Sequence, residues 1–154
     1  MNKLDSKDKQ ILQILQSNGR ITTSELATSV NLSDTPCLRR VKKLENEGVI
    51  SGYQCNLNAK QIDLGVLVYA FVRLTANSDK HAYSFENQMK GLDHILECSV
   101  ITGAHDYLLK IVAKDLESYE KFVKQSLGSL TEVASVESTV VLKQTFSRNN
   151  LPIV

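Results

Sequence analysis

Pro36 sets the frame for the first third of this chain. A proline sits without penalty in an α-helix only in the first turn, where its missing N–H has no intrahelical partner to lose. In NLSDTPCLRRVKKLENEGVISGY, residues 31–53, the helical pattern that follows must therefore start at about Ser33, which can serve as its cap. Advancing about 100° per residue groups Cys37, Leu38, Val41 and Leu44 on one side. Thr35, Pro36, Arg39 and Lys43 fall opposite, flanked by Arg40 and Lys42. Gly48 ends the helix, and Val49 to Tyr53 reads as a short strand or wing leading toward Asn58.

Two shorter helices precede it. Asp5 or Ser6 can cap the first, with Ile11, Leu12 and Leu15 at helical spacing and Asn18-Gly19 as its stop. In Ile21-Thr22-Thr23-Ser24-Glu25-Leu26, Thr22 and Glu25 form a capping box and Ile21 can staple onto Leu26. That second helix ends near Val30. Asn31 tolerates the left-handed turn and Leu32 plugs it into the core. About three residues therefore separate the second and third helices, the spacing of a helix-turn-helix.

The formal net charge of +1 conceals an asymmetry. Residues 1–60 carry nine Lys/Arg against six Asp/Glu, net +3, and residues 61–154 carry nine against eleven, net −2. So mild a bias makes any nucleic-acid contact depend on charge placed on one face. A run such as RRVKK also reads simply as the solvated face of an amphipathic helix. Three features favour DNA: the helix is second in a tight pair, its outward N-terminal residues are small and polar, and a glycine-led wing follows. In that geometry the second helix enters the major groove. Thr35, Pro36 and Arg39 are then expected to face bases and Arg40, Lys42 and Lys43 phosphates, with the cap residue Ser33 also counted in the DNA-binding set.

At this point the chain resembles the Lrp/AsnC, or feast/famine, family of prokaryotic transcription factors. Leu4 to Tyr53 is similar to that family's N-terminal domain, and its LS-x-TPC-x-x-R-V-x-x-LE-x-x-G-x-I signature is present as Leu32 to Ile50. The resemblance continues through VITGAHDYLLKIVAKDLESYEKF and TVVLKQT. It implies an α+β protein with a winged helix-turn-helix over 1–52, a strand linker over 53–64 and a ferredoxin-like βαββαβ ligand-binding and oligomerisation domain over 65–154.

The remaining sequence supports that layout on its own terms. Val66 to Leu74 is an apolar run expected as a strand buried on both faces. Ala82 to Met89 has helical spacing, Ile95 to Thr102 and Tyr107 to Ala113 form a hairpin around GAHD, Leu116 to Leu130 is amphipathic, and Val136 to Thr145 is a last strand. Two helices cover one face of four strands. The apolar second face predicts a homodimer, which would also suit a palindromic operator in double-stranded DNA.

The GAHD turn can serve a free amino acid: a glycine lets amides converge on a carboxylate, and an aspartate can pair with an ammonium. Alone, such a hairpin is far more often an ordinary turn. The resemblance implies an amino-acid effector site between dimers, with matching positions Thr102, Gly103, Ala104, His105, Asp106, Leu116, Thr139, Val140 and Val141. Asp106 is the candidate ammonium partner. Dimers are expected to assemble further, to an octamer or a similar ring.

No catalytic residues, metal site or cofactor are expected. His81, His94 and Cys98 do not form a ligand set, and Cys37, Cys55 and Cys98 are an odd number without a CxxC pair. Cys37 belongs with the core, a redox-sensing role needing an acidic thiol. No stretch approaches the roughly 20 apolar residues of a membrane span, and MNKLDSKDKQ lacks a secretory apolar core, so the expected location is cytoplasmic. Two other functions fit the fold: an effector-independent architectural DNA-binding protein, and a regulatory module of a metabolic enzyme.

Overall fold

The computed structural model describes residues 4–153. The chain divides into two compact units, one formed by residues up to Asn56 together with Phe146 onward, the other by Leu57–Thr145.

The first unit holds three helices, α1 (Ser6–Ser17), α2 (Thr23–Ser29) and α3 (Asp34–Asn46). Asp5 caps α1: its carboxylate accepts from the Asp8 amide at 2.8 Å, and the Asp8 carboxylate reaches back to the Asp5 amide. Thr22 and Glu25 do the same for α2. Asn31 adopts the left-handed conformation, φ 53°, between α2 and α3. Ser33 occupies the cap position of α3, but its side chain makes no capping hydrogen bond. The end of α3 is a Schellman turn. Gly48, at φ +70°, donates to the Glu45 carbonyl at 3.0 Å, and Val49 donates to Leu44 at 2.9 Å. Ile11, Ala27, Val30, Cys37 and Leu44 are fully buried in this unit's core. Truncating such a residue, as in Leu44→Ala, costs about 2–5 kcal/mol.

Three features differ from expectation. Val49 to Asn58 forms no strand; Ile50 packs against the core and the Tyr53 hydroxyl donates to Glu45 at 2.9 Å, so side chains rather than a ladder hold it. The 53–64 linker contains a single 3₁₀ turn, Ala59–Ile62, capped by Asn58. The C-terminal tail belongs to the first unit, not to the domain expected over 65–154. There the Gln16 side chain brackets the Leu151 backbone, accepting from its amide at 2.6 Å and donating to its carbonyl at 3.2 Å, and Ile153 packs on the core.

The second unit is a four-stranded antiparallel sheet with two helices: β1 (Val66–Leu74), α4 (Asp79–Lys90), β2 (Ile95–Val100), β3 (Tyr107–Ala113), α5 (Leu116–Phe122) and β4 (Val133–Val140). The order β2-β3-β1-β4 is the ferredoxin-like arrangement expected. A five-residue π turn, Val123–Leu127, widens the end of α5, closed by Gly128 donating to Val123. The last strand begins at Val133 rather than Val136 and stops at Val140, because its ladder with β1 runs only from Leu74↔Val133 to Val68↔Val140.

Val68, Ala70, Val72 and Leu74 of β1 and Leu109, Ile111 and Ala113 of β3 alternate into a core closed by Phe85, Met89, Tyr119 and Leu127. By the strand's two-residue period, Leu67, Tyr69, Phe71, Leu108, Lys110 and Val112 occupy the other face. Within one chain β1 is thus buried on one face and half-buried on the other, not buried on both.

Candidate nucleic-acid interface and effector surface

The two faces of α3 separate as its sequence dictates, with two exceptions. Cys37 and Leu44 are fully buried and Val41 is half-buried against them. Thr35, Arg39, Lys42 and Lys43 are exposed and Pro36 is half-exposed. Among the described residues, Arg39, Lys42 and Lys43 enter no ion pair, so their charge is directed outward.

Arg40 is the first exception. Its guanidinium lies 2.5 Å from Asp5 and 2.7 Å from the buried carboxylate of Asp8. The expected phosphate contact is thus replaced by an ion pair that ties α3 to the cap of α1. The backbone amide of Asp8 and the Arg40 guanidinium hold the Asp5 carboxyl below the usual carboxylate range. Leu38 is the second exception. Placed with the core by pattern, it is 40% exposed, standing about 100° round from Cys37 but only about 40° from Lys42. Thr35, Leu38, Arg39, Lys42, Lys43 and Asn46 line a shallow hollow on the outer face.

Cys37 does not suit redox sensing. Burial, with a smaller contribution from Asp34, pushes its thiol up, disfavouring the reactive thiolate.

In the second unit, Gly103 takes φ +121°, which favours glycine, with open space where a Cβ would stand. The turn is fastened to β1. Arg73 donates to the Ala104 carbonyl at 2.7 and 3.1 Å, and the Asp106 carboxylate accepts the Leu74 amide at 2.7 Å. Asp106 is therefore a turn-to-strand clamp, with acceptor capacity left over on its second oxygen. His105 is half-buried, its Nε2 3.3 Å from Glu137 and its ring centroid 5.4 Å from that of Phe71.

The candidate effector residues form two groups. Thr102 to Asp106 sit beside Val72 to Leu74, at one end of β1. Thr139 and Val140 pair with Tyr69 and Val68, the Val141 amide donates to Leu67, and Leu116 opens the helix after Ala113, which pairs with Val66. Three residue steps of β1, about 10 Å, lie between Tyr69, which pairs with Thr139, and Val72, which accepts from the Asp106 amide, and six between Val66 and Val72. His105 of the first group reaches Glu137, two residues before Thr139, within the same subunit. Among the described residues no cluster of three metal-ligating side chains occurs.

Residues 67–151 match the Lrp/AsnC ligand-binding domain, and residues 4–51 match a winged helix-turn-helix DNA-binding domain. The chain belongs to the Lrp/AsnC family. Like its relatives, this Lrp/AsnC protein is a transcriptional regulator that joins a DNA-binding unit to a ligand-binding one. It is 37% identical over 150 residues to the leucine-responsive regulatory proteins of Klebsiella pneumoniae and Escherichia coli K12, covering 97% of this chain and 92% of each relative. A Neisseria meningitidis transcriptional regulator, solved as a complex with L-Met, is 35% identical with a TM-score of 0.94 and 97% of both chains covered. An AsnC-family regulator from Agrobacterium tumefaciens is 30% identical with a TM-score of 0.92, again over 97% of both chains.

Sequence reasoning about this Lrp/AsnC chain missed the inward turn of Arg40 and the outward turn of Leu38. The helical wheel carried a signal for each. Arg40 lies about 60° from Cys37, nearer the core than any other cation of α3, and α1 opens with an acidic residue at its cap, Asp5, and another in its first turn, Asp8.

Proposed function

We propose that the protein regulates transcription by reading DNA sequence through the outer face of α3, and that an amino acid adjusts this binding. The observation that carries the DNA reading is the sidedness of α3: its apolar residues anchor it from behind, while Thr35, Arg39, Lys42 and Lys43 are exposed and unpaired among the described residues. Ser33, Thr35, Pro36 and Arg39 face base edges, the arginine fork suiting guanine. Lys42 and Lys43 meet phosphates. Arg40 fixes the helix instead.

The effector reading rests on two residue groups spaced along β1, the hairpin beside Val72 to Leu74, and Leu116 with Thr139 to Val141 beside Val66 to Tyr69. Two copies of the chain can bring the hairpin of one subunit against Leu116 and Thr139 to Val141 of another, so the ligand site and the assembly are one structure. The apolar second sheet face, with Leu67, Tyr69, Phe71, Leu108 and Val112, pairs subunits into the dimer that a palindromic operator requires. Further association of dimers, to an octamer or similar, closes the effector sites. An amino acid then acts only as far as it prefers one assembly over another. Asp106 uses its remaining acceptor capacity for the ammonium group. The protein operates in the cytoplasm and carries out no catalysis itself.

The L-Met bound to the Neisseria regulator makes methionine the first amino acid to test. Mobility shift of full-length protein on duplexes selected from a random pool, with and without each of the twenty amino acids, separates the readings. An effector-dependent shift supports the regulator. A shift indifferent to all twenty favours the architectural protein, and no shift at all favours the enzyme module.

A further inference from the structure

We propose that Leu38 is a specificity residue that reads the 5-methyl group of thymine in the major groove. This inference rests on the reading that the outer face of α3 meets base edges, and deepens it by naming what the hollow on that face recognises.

A large aliphatic side chain, 40% exposed, is out of place in a hollow otherwise lined by Thr35, Arg39, Lys42, Lys43, Asn46 and, at its C-terminal end, Glu47. The fold offers it no better position. Cys37 and Leu44 already fill the core behind α3 at full burial, with Val41 against them. Leu38 lies one turn in from Thr35, at the i+3 position, with Lys42 at i+4 beyond it, so all three line the same side of the helix. An apolar group between hydrogen-bonding and charged neighbours suits a surface that is itself mixed. The major-groove edge of an A·T pair is such a surface, since thymine alone presents a methyl group there among acceptors and donors. Arg39, one residue on, reaches the adjoining guanine edge while Lys42 lies beside the phosphates. The hollow therefore matches a short step containing a G·C pair next to a T·A pair.

Burying one methyl group is worth roughly a fourfold gain in affinity, so two half-sites bound by a dimer give about fifteenfold. The test uses full-length protein and a duplex selected by it from a random pool. Anisotropy titrations compare that duplex with one in which deoxyuridine replaces every thymine of the half-sites, which removes the methyl groups and leaves the hydrogen-bonding edges intact. The wild type is expected to lose about four- to fifteenfold on the deoxyuridine duplex. Leu38→Ala should bind the two duplexes equally, with affinity for a scrambled duplex unchanged from the wild type. Equal binding of both duplexes by the wild type overturns the proposal while leaving base reading by α3 intact. A Leu38→Ala variant that keeps the full thymine preference also overturns it, assigning the methyl contact to another residue. Failure of the wild type to select any duplex removes the base-reading role of α3 and Leu38 with it.

Discussion

The guanidinium of Arg40 lies 2.7 Å from the carboxylate of Asp8, whose side chain is only 3% exposed. A residue on the helix expected to meet DNA thus neutralises a charge buried beneath it. Asp5 shares the same guanidinium, so one arginine fixes the angle at which α3 leaves α1. Removing it strands Asp8 away from water. Arg40→Ala should destabilise the first unit by about 1–3 kcal/mol, the cost of a lost charged hydrogen bond discounted for the arginine's partial exposure. Urea unfolding of wild type and variant measures this, and Asp8→Asn in the same background should recover part of the loss.

Lys43→Ala should behave in the opposite way. It has no ion-pair partner among the described residues, so stability should hold while DNA affinity falls on every sequence. The slope of log K against log salt should become shallower by about 1 unit per contacting subunit. Arg39→Ala should cost about 1–3 kcal/mol on the selected duplex only, relaxing preference at one base position per half-site. Titrations on selected and scrambled duplexes at several salt concentrations separate the two roles.

The tail should stabilise the unit to which it returns. Deleting residues 149–154 removes the hydrogen bonds between Gln16 and Leu151 and uncovers the surface under Ile153. A loss of about 1–3 kcal/mol is expected, from three exposed hydrogen bonds, the third from the Asn150 side chain to the Ser17 hydroxyl, and one half-buried aliphatic side chain. Gln16→Ala should reproduce its own part of the hydrogen-bonding share. Equal urea midpoints for full-length and truncated protein would leave the tail without a structural role.

Tyr107 gives an alkaline signature. Its ring is buried and its hydroxyl donates to Glu86 at 2.9 Å, so burial first, and then Glu86, push its ionisation up to about 12. A raised pKa means that the folded state holds the proton more tightly. The stabilisation is fully present below the unfolded tyrosine value near 10, and is lost as pH rises through about 12. Burial and Glu45 push Tyr53 up to about 12 as well, so tyrosinate absorbance should show late ionisation that falls in amplitude by one tyrosine in Tyr107→Phe, and the variant's stability should lose less than the wild type's between those two pH values.

Local chemistry was legible in the sequence wherever one short segment decided the outcome. The Asp5 cap, the Thr22–Glu25 box, the left-handed Asn31 and the Gly48 stop each depend on neighbours within a turn, and all appear in the structure. The bounds of β1 and β3 followed from runs apolar at every position but Arg73 and Lys110. What escaped depends on distant partners. Arg40 meets Asp5 and Asp8 across more than thirty residues, and Gln16 meets Leu151 across 135. The limits of β4 are set by its register with β1 rather than by its own composition. The candidate effector residues share a family pattern yet are spread along one strand, from beside Val72 back to Val66, a spacing that only the topology reveals.

The reading of DNA by the outer face of α3 is tested most directly by reversing the charge of Arg39 and Lys43 together. Both side chains are exposed and unpaired among the described residues, so the Arg39→Glu, Lys43→Glu protein should keep the wild-type circular dichroism spectrum and urea midpoint. Its affinity for the selected duplex, measured by fluorescence anisotropy, should fall by more than about a hundredfold, as expected when two positive charges in each subunit become negative. A folded variant that binds the duplex as tightly as the wild type would place the DNA-contacting surface elsewhere on the molecule.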